Sequence, residues 1–236
     1  MLRGTPPLEQ LLLATTNAGK VREIRRILEG TSLRLLTLAD LPPVPEPEET
    51  GRTFAANARL KAEYYAAGSG LVTVAEDSGL VIDALDGRPG VESARYPGGT
   101  YPEKFANLYR ELAPHQRPWT ARFVCSLAVV KACRAEALAE AGPRAQDSSL
   151  PAQGNWPMAQ ECQVLFECEA TVEGEIAPEP RGTHGFGYDP FFFFPPLGRT
   201  TSELTDDEKI AISHRGKAFR MLREWLGTLG PWALGL

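Results

Sequence analysis

The chain has 236 residues, of which 43% are hydrophobic and 23% charged, and its formal net charge at pH 7 is −5. This composition is ordinary for a globular protein, and the negative balance argues against a broad nucleic-acid-binding surface. No apolar run approaches the roughly 18 residues needed to span a bilayer, and the opening MLRGTPPLEQ lacks the apolar core of a signal peptide. We therefore expect a cytoplasmic protein with neither a membrane nor a nucleic-acid partner.

Histidine and cysteine usage argues against a zinc site. The 3 histidines show no H-x-x-x-H spacing, and the 4 cysteines form no C-x-x-C pair. We expect the cysteines to be reduced structural thiols. Any metal would have to be held by carboxylates, which favours Mg²⁺ or Mn²⁺.

The N-terminal region predicts a strand, a turn and a helix. Residues 10–15 are apolar and predict a short buried strand, and apolar residues then recur at helical spacing from Val21 to Leu28. Between them lie residues 16–20, where free backbone N–H groups and the helix dipole favour an anion. An ordinary capped helix with a solvated basic face explains this segment equally well.

A P-loop is not present at this turn. That motif requires glycine five residues before Gly19 and serine or threonine after Lys20, and the chain has Ala14 and Val21 at those positions.

Further elements follow from hydrophobic periodicity and from turn residues. Strands are predicted at residues 33–38, 122–130 and 163–173, and helices at residues 54–67 and 103–112. For the first of these helices, Thr53 is the expected N-cap and Gly68 the expected end. Residues 138–161 are rich in Pro, Ala and Gln without periodicity, which indicates a flexible surface insertion.

Two adjacent acids, Glu76 and Asp77, lie between apolar runs at residues 71–75 and 80–82. Because unpaired charges are costly to bury, we expect them on a tightly specified loop, and a polar hairpin turn is the simplest interpretation. Residues 42–49 predict a rigid acidic linker that ends in Glu48 and Glu49. The charged side chains of such a linker usually face solvent.

Residues 181–190 form a glycine-rich segment. Their glycines follow the order G-x-x-G-x-G, which is wrong for a dinucleotide fingerprint. Interleaved with Phe186 and Tyr188, these glycines could cradle a flat ring. A glycine-rich loop that caps a core strand is the alternative.

The C-terminal region predicts two helical segments. Thr205 and Glu208 form a capping box, and Lys209 lies in the first turn, where a cation does not suit the helix dipole. Residues 213–216 then interrupt the helical pattern. An apolar stripe that we assign to core packing follows, comprising Ala218, Met221, Leu222, Trp225 and Leu226.

In order along the chain, these segments resemble the inosine triphosphate pyrophosphatase family, which hydrolyses non-standard purine nucleoside triphosphates. Each matching segment is weak alone, but the ordered set is specific. The matches are ATTNAGK at 14–20, EETG at 48–51 followed by Thr53-Phe54, Asn57-Ala58, EDSGL at 76–80, PG at 89–90, SARY at 93–96, GFGYDP at 185–190 and SHRG at 213–216. Glu76 departs from the family pattern, since many bacterial members carry Asp there, and the insertion at 138–161 is longer than the family's.

The resemblance implies an α/β fold, with an elongated mixed β-sheet flanked by helices. It implies a single domain over residues 1–236, formed by two lobes with a central cleft for the nucleotide. It further implies a homodimer, dependence on Mg²⁺, and conversion of a purine nucleoside triphosphate and water into the monophosphate and pyrophosphate.

The resemblance also implies site residues. Glu48 and Asp77 would hold Mg²⁺, with Glu49 and Glu76 as neighbours that share the task, and Asp77 would accept a proton from water. The phosphate tail would contact Thr15, Thr16, Asn17, Ala18, Gly19, Lys20 and Lys209, and Ser78 would hydrogen-bond the substrate. The base would lie against Phe186, Gly187, Tyr188 and Asp189, with Ser213, His214 and Arg215 donating to its 6-oxo group.

This last contact predicts that ATP is a poor substrate, because the 6-amino group of adenine leaves those donors unpaired. Guanine carries a 6-oxo group, so the same contact does not explain its exclusion.

Three alternatives remain open from the sequence. The enzyme could act on modified pyrimidine or other damaged nucleotides, or the acids could hold a Mg-nucleotide without catalysis. A P-loop kinase or GTPase is disfavoured by the failed motif.

Overall fold

The computed structural model describes residues 8–133 and 161–229. The predicted insertion at residues 138–161 lies outside these residues, except for its last residue, which begins a strand. Among the described residues, no helix combines the length and the apolar character needed to cross a bilayer.

A seven-stranded mixed sheet runs through the described part of the chain, in the order β2-β1-β3-β4-β5-β6-β7. The first strand is parallel to both of its neighbours, and the later pairs are antiparallel. The strands are β1 (Gln10–Leu13), β2 (Arg34–Thr37), β3 (Thr73–Ile82), β4 (Thr120–Cys133), β5 (Glu161–Ile176), β6 (Phe192–Phe194) and β7 (Arg199–Thr200). The predicted α/β fold with a mixed sheet is confirmed.

Helices cover both faces of this sheet. Within the described ranges they are α1 (Ala18–Ile27), α2 (Phe54–Ser69), α3 (Tyr101–Leu112), α4 (Asp206–Ile212) and α5 (His214–Thr228). The small side chains of Ala58 and Ala62 let α2 pack closely against Ala75 and Ala128 on one face. On the other face, α5 packs Phe219 and its neighbours against β4 and β5.

A separate core fills the far end of the long strands. There, Leu80 and Ile82 of β3 pack with Phe105 and Leu108 of α3 and with Phe191. The long strands therefore carry a core on each face at one end and a third core at the other end, and the cleft described below lies between the two ends.

Strand β3 extends well beyond the end of β1. It pairs with β4 along its whole length, from Thr73 to Ile82. With β1 it pairs only at Thr73 and Val74, because β1 ends at Leu13 and the chain turns away into α1. The following residues of β3 therefore present their edge to the space beyond the end of β1.

The structure corrects the predicted placement of the two acids. Glu76 and Asp77 lie in the middle of β3 and not on a loop or a hairpin turn. Burial is tolerated because each carboxylate has a cationic partner on another element, Lys61 of α2 for Asp77 and Arg215 of α5 for Glu76. Sequence reasoning could not supply those partners.

Two smaller expectations are also wrong. Gly68 lies inside α2, which ends at Ser69, and Gly70 caps it with the left-handed φ of 70° that glycine adopts readily. Met221 is 41% exposed, because residues 218, 222 and 226 are spaced by four and define the buried face of α5. Trp225 lies at the side of that face, where its ring stacks on Phe166 with centroids 5.1 Å apart.

Candidate functional site

A cleft with a volume of about 700 Å³ lies beside the edge of β3, beyond the end of β1. Separate segments of the chain converge on it. Of the predicted site residues, those that line the cleft are Thr15, Thr16, Asn17, Lys20, Glu48, Ser78, Phe186, Gly187, Tyr188, Asp189, Lys209, His214 and Arg215. Ala18, Gly19 and Asp77 are not part of this lining; Ala18 is exposed and Asp77 is buried.

The turn between β1 and α1 is held by its own side chains. Asn17 caps α1, and its Oδ1 accepts hydrogen bonds from the N–H groups of Gly19, at 2.9 Å, and Lys20, at 3.2 Å. Thr16 Oγ1 donates to Glu46 of the acidic linker at 2.8 Å. A phosphate that bound these N–H groups would therefore compete with the Asn17 side chain.

Asp77 is held by two residues of α2. Its Oδ1 lies 3.1 Å from Lys61 Nζ, and its Oδ2 accepts a hydrogen bond of 3.2 Å from Asn57 Nδ2. Lys61 also contacts Glu49 Oε1 at 2.6 Å. Burial disfavours the ammonium ion, but the charges of Asp77 and Glu49 outweigh it and raise the pKa of Lys61. Lys61 therefore remains positively charged at the side of the cleft.

The acidic linker forms part of the cleft wall next to Lys61. Glu49 Oε2 accepts a hydrogen bond of 2.9 Å from Arg95, which reaches it from the SARY segment. Burial favours the neutral acid, but Lys61 and Arg95 outweigh it and lower the pKa of Glu49. Glu48 is exposed and lines the cleft, so its carboxylate faces solvent.

Glu76 points to the opposite face of β3 from Asp77, since successive side chains of a strand alternate. Its Oε1 lies 2.8 Å from Arg215 Nε and 3.4 Å from Lys20 Nζ, and Cys125 Sγ donates to Oε2 at 2.9 Å. Burial favours the neutral acid, but these partners outweigh it and hold the pKa of Glu76 well below its usual range. The prediction that Glu76 shares the metal with Asp77 does not fit this placement.

A chain of buried ion pairs continues from Glu76 towards the glycine-rich loop. Arg215 binds Glu23 of α1 at 2.7 Å, and Glu23 binds Lys209 at 2.8 Å. Lys209 in turn binds Asp189 Oδ2 at 2.5 Å. Lys209 thus has a structural task, and because α4 is only seven residues long it lies in the last turn and not, as expected, in the first.

Asp189 fixes the glycine-rich loop. Its Oδ2 accepts a hydrogen bond of 2.7 Å from the Phe186 N–H, and its Oδ1 accepts one of 3.0 Å from Thr201. The hydroxyl group of Tyr188 donates to the carbonyl of Ser93 at 2.8 Å. The loop is therefore anchored on two sides, and Phe186 is placed at the cleft.

The Phe186 ring lies over the N-terminus of α1. Its centroid is 4.5 Å from Lys209 Nζ and 5.4 Å from the Arg215 guanidinium carbon. A Cβ atom on Gly19 would lie 2.6 Å from the ring, so only glycine permits this packing. The role of Gly19 is thus to leave room for the aromatic ring.

His214 and Arg215 begin α5 at the floor of the cleft. His214 stacks on Phe123 with centroids 4.9 Å apart. Within the described residues, its buried Nδ1 has no hydrogen-bond partner. Burial, with Arg215 nearby, lowers the pKa of His214 well below its usual range, so the ring is neutral at pH 7. The guanidinium of Arg215 contacts Ser78 at 3.1 Å in addition to Glu76 and Glu23, and its contact with a base stays a prediction.

The sequence of the chain matches the model of the Ham1 family over residues 11–145 and 153–225. The chain belongs to the Ham1 family.

Curated relatives support this assignment, and the predicted family resemblance is confirmed. The dITP/XTP pyrophosphatase of Geobacter sulfurreducens is 40% identical over 227 residues, which cover 94% of this chain and 99% of the relative. The protein of the same name from Geobacillus kaustophilus is 41% identical over 228 residues, with 94% and 97% covered.

Solved Ham1 structures share the fold. The HAM1 protein of Coxiella burnetii matches with a TM-score of 0.74 and 34% identity, and the match covers 93% of this chain and 99% of that one. The dITP/XTP pyrophosphatase of Mycobacterium abscessus matches with a TM-score of 0.63 and 35% identity, with 90% and 98% covered.

The carboxylates of this Ham1 chain fit a hard divalent cation by their chemistry. Glu48, Glu49 and Asp77 offer the oxygen donors that Mg²⁺ takes, and Glu48 is open to the cleft. Among the described residues, no three His, Cys, Asp or Glu side chains converge in a preformed metal cluster. Mg²⁺ typically uses only one or two protein carboxylates and completes its shell with water and substrate phosphate, so this arrangement suits it.

Sequence reasoning gave no role to several residues that organise the Ham1 cleft. Lys61 and Asn57 lie four residues apart in α2, and this spacing was the available signal for a shared polar face. Glu23 is an acid next to the buried positions Ile24 and Ile27 of an otherwise basic helix. No pattern in the sequence points to Cys125 or Arg95 as partners of the two acids.

Proposed function

We propose that this Ham1 protein hydrolyses non-standard purine nucleoside triphosphates (ITP, dITP and XTP) to the monophosphate and pyrophosphate. The observation that carries the proposal is the convergence, in one cleft, of the Thr15–Lys20 turn, the Asp77 strand and the aromatic loop at Phe186. These features match the three parts of the substrate, namely its phosphates, its scissile bond and its base. The names of the curated relatives point to the same activity.

In this proposal the phosphate tail lies between the start of α1 and α2. Lys20 and Lys61 are both cations of the cleft wall, and each is paired with an acid, Lys20 with Glu76 and Lys61 with Glu49 and Asp77. Thr15, Thr16, Asn17 and the amide of Ala18 would orient the terminal phosphates, because the N-terminus of a helix favours anions. Ser78, on the same face as Lys20, would bind near the reacting phosphate.

Glu48 and Asp77 are the residues that we assign to Mg²⁺, with Mn²⁺ as a substitute, and Glu49 is next to them. When bound, the cation would neutralise charge on the phosphates and acidify coordinated water.

Asp77 is the proposed acceptor of a proton from the attacking water. The water oxygen forms a bond to the α-phosphorus, and the bond from that phosphorus to the bridging oxygen breaks. The leaving group is pyrophosphate. One triphosphate and one water are consumed, and one monophosphate and one pyrophosphate are formed. Lys61 Nζ lies 3.1 Å from Asp77 Oδ1 and would hold this oxygen in place for the transfer.

The base would lie beside Phe186, with Gly187, Tyr188 and Asp189 shaping the loop around it. The unpaired Nδ1 of neutral His214 is a buried polar atom at the cleft, which supports a hydrogen bond to a base edge. Adenine has a 6-amino group in place of the 6-oxo group, so it would present a hydrogen-bond donor to protein groups that also donate. A site built for such a bond can reject the wrong analogue by roughly 10⁴-fold.

The homodimer that the family resemblance implies and the cytoplasmic location expected from the sequence remain predictions. Sedimentation velocity of the purified chain would test the first of them.

Product analysis tests the proposed function directly. The protein is incubated with Mg²⁺ and ITP, dITP or XTP, with ATP as the matched control and modified pyrimidine triphosphates in parallel. We expect inosine monophosphate and pyrophosphate from ITP, and little turnover of ATP. Release of orthophosphate and a diphosphate would indicate another class of hydrolase, and binding of ITP without release of products would favour a binding module. Preferential hydrolysis of the pyrimidines would change the assigned substrate.

A further inference from the structure

Asn57 is a fully buried polar residue behind the cleft wall. It lies in the first turn of α2, which Thr53 caps by accepting a hydrogen bond from Ala56 N–H. A fully buried amide requires partners for both of its polar ends, and the two partners of Asn57 belong to different parts of the proposed site.

The orientation of the Asn57 amide is determined by one of these partners. Its Oδ1 accepts a hydrogen bond of 2.7 Å from the backbone N–H of Gly51, and an N–H can only be matched by the oxygen of the amide. The amide nitrogen must therefore face the other way, where Nδ2 donates to Asp77 Oδ2 at 3.2 Å. A Cβ at position 51 would collide with Asn57 Oδ1, so glycine is needed for the close approach.

Asn57 and Lys61 hold the two oxygens of the same carboxylate. The residues are four apart in α2, so their side chains project from the same face of the helix. Nδ2 of Asn57 binds Oδ2 of Asp77, and Lys61 Nζ binds Oδ1. With both oxygens engaged, rotation of the Asp77 carboxylate would break at least one contact.

We propose that Asn57 is a positioning residue for the proposed hydrolysis, which sets the placement of Asp77 relative to the acidic linker. One rigid amide joins the Asp77 carboxylate to Gly51, the residue that follows the Glu48–Glu49 pair by two positions. It thereby fixes the position of the Asp77 carboxylate relative to the acids of the linker. This inference rests on the proposed function, because it assigns Asn57 a role through Asp77.

The test compares turnover with binding in Asn57→Ala. With dITP and Mg²⁺ we expect kcat to fall by roughly 10- to 100-fold, the range for loss of a hydrogen bond to a charged group. Binding of the non-hydrolysable α,β-methylene analogue of dITP, measured by titration calorimetry, should keep a stoichiometry near one per chain. A purely structural role would instead lower the stoichiometry together with the turnover.

A double-mutant cycle provides the second readout. If Asn57 acts only through Asp77, adding Asn57→Ala to Asp77→Asn should lower single-turnover rates by less than about twofold, because interacting residues are non-additive. Asn107→Ala is the matched control: this half-buried asparagine of α3 donates its amide to the backbone carbonyl of Pro97 and not to a carboxylate, and kcat should be unchanged.

Two results would overturn the inference: kcat of Asn57→Ala within twofold of wild type, or independent losses in the double mutant. If the alanine variant does not fold, kcat and the double-mutant cycle are measured with Asn57→Ser instead. The serine side chain is too short to contact both Gly51 and Asp77. A wild-type chain that binds the analogue without releasing pyrophosphate from dITP would instead refute the proposed function itself.

Discussion

Glu76 and Asp77 are neighbours in β3, but their carboxylates lie on opposite faces of the sheet and in different electrostatic surroundings. On the Glu76 face, the acids Glu23, Glu76 and Asp189 alternate with Lys20, Lys209 and Arg215. Acids and bases are equal in number there, and most are deeply buried.

On the Asp77 face, the acids outnumber the bases. Asp77 and Glu49 pair with Lys61 and Arg95, and the exposed Glu48 adds a third carboxylate next to Glu49. The compensated side is suited to hold a fixed shape, because breaking any buried pair is costly. The uncompensated side is suited to receive a cation or to take up a proton. Adjacent residues of one strand thus serve separate purposes.

The largest expected effect is on catalysis. Asp77→Asn should lower kcat for dITP with Mg²⁺ by roughly 10³-fold or more, because it removes the proposed proton acceptor, while the fold stays intact. Pyrophosphate release measures the rate, and circular dichroism checks the fold. A variant that turned over dITP at a near wild-type rate would show that Asp77 is not the acceptor.

Glu76→Gln should act mainly on stability. It leaves the buried Arg215 and the partly buried Lys20 without their shared carboxylate, and loss of one partner of a buried ion pair costs about 3 kcal/mol or more. Urea unfolding of the two single variants, Glu76→Gln and Asp77→Asn, gives the comparison directly. Equal losses of the free energy of unfolding would contradict the distinction between the two faces.

Arg215→Ala should change selectivity. We expect the ratio of kcat/KM for ITP to that for ATP to fall by about tenfold, because a polar contact to the 6-oxo group is lost. Arg220→Ala on the same helix is the control, since Arg220 donates only to the carbonyls of Ile210 and Ala211 among the described residues. An unchanged ratio in Arg215→Ala would remove this residue from base recognition.

The smallest effect concerns pH and stability. The folded-state pKa of Glu76 lies below the ordinary value of 4.5, so its ionised form stabilises the fold above that pH. As the pH falls below about 4.5, through the lowered folded-state pKa, this contribution is lost. The difference in unfolding free energy between wild type and Glu76→Gln should therefore shrink in acid. A difference that stayed constant between pH 7 and pH 3 would show that the ion pairs are not its source.

Most of the secondary structure could be predicted from the sequence, because local patterns determine it. Residues 10–15, 33–38, 122–130 and 163–173 all fall on observed strands, and the helix predicted at 103–112 is α3. The exception is instructive. The two acids were expected on a loop because unpaired charge is costly to bury, but they are buried in β3, where α2, the helix before β3, and α5, far away in sequence, supply cationic partners.

The candidate site could be predicted only in outline. Motifs such as TTNAGK and GFGYDP indicate which segments meet, but not which face of a strand each side chain occupies. Alternation along β3 would have separated Glu76 from Asp77, had the segment been recognised as one strand. Glu23 and Asn57 were given no role because their importance depends on contacts across the fold.

The unequal lengths of β1 and β3 have a further consequence. A strand edge that extends past its neighbour is normally an open template for another chain, and natural proteins protect such edges against aggregation. Here the free edge borders a groove lined by charged side chains, which discourage a second strand from docking. The groove therefore depends on the early end of β1, because further paired residues after Leu13 would occupy the space beside β3 and displace the turn that carries Lys20.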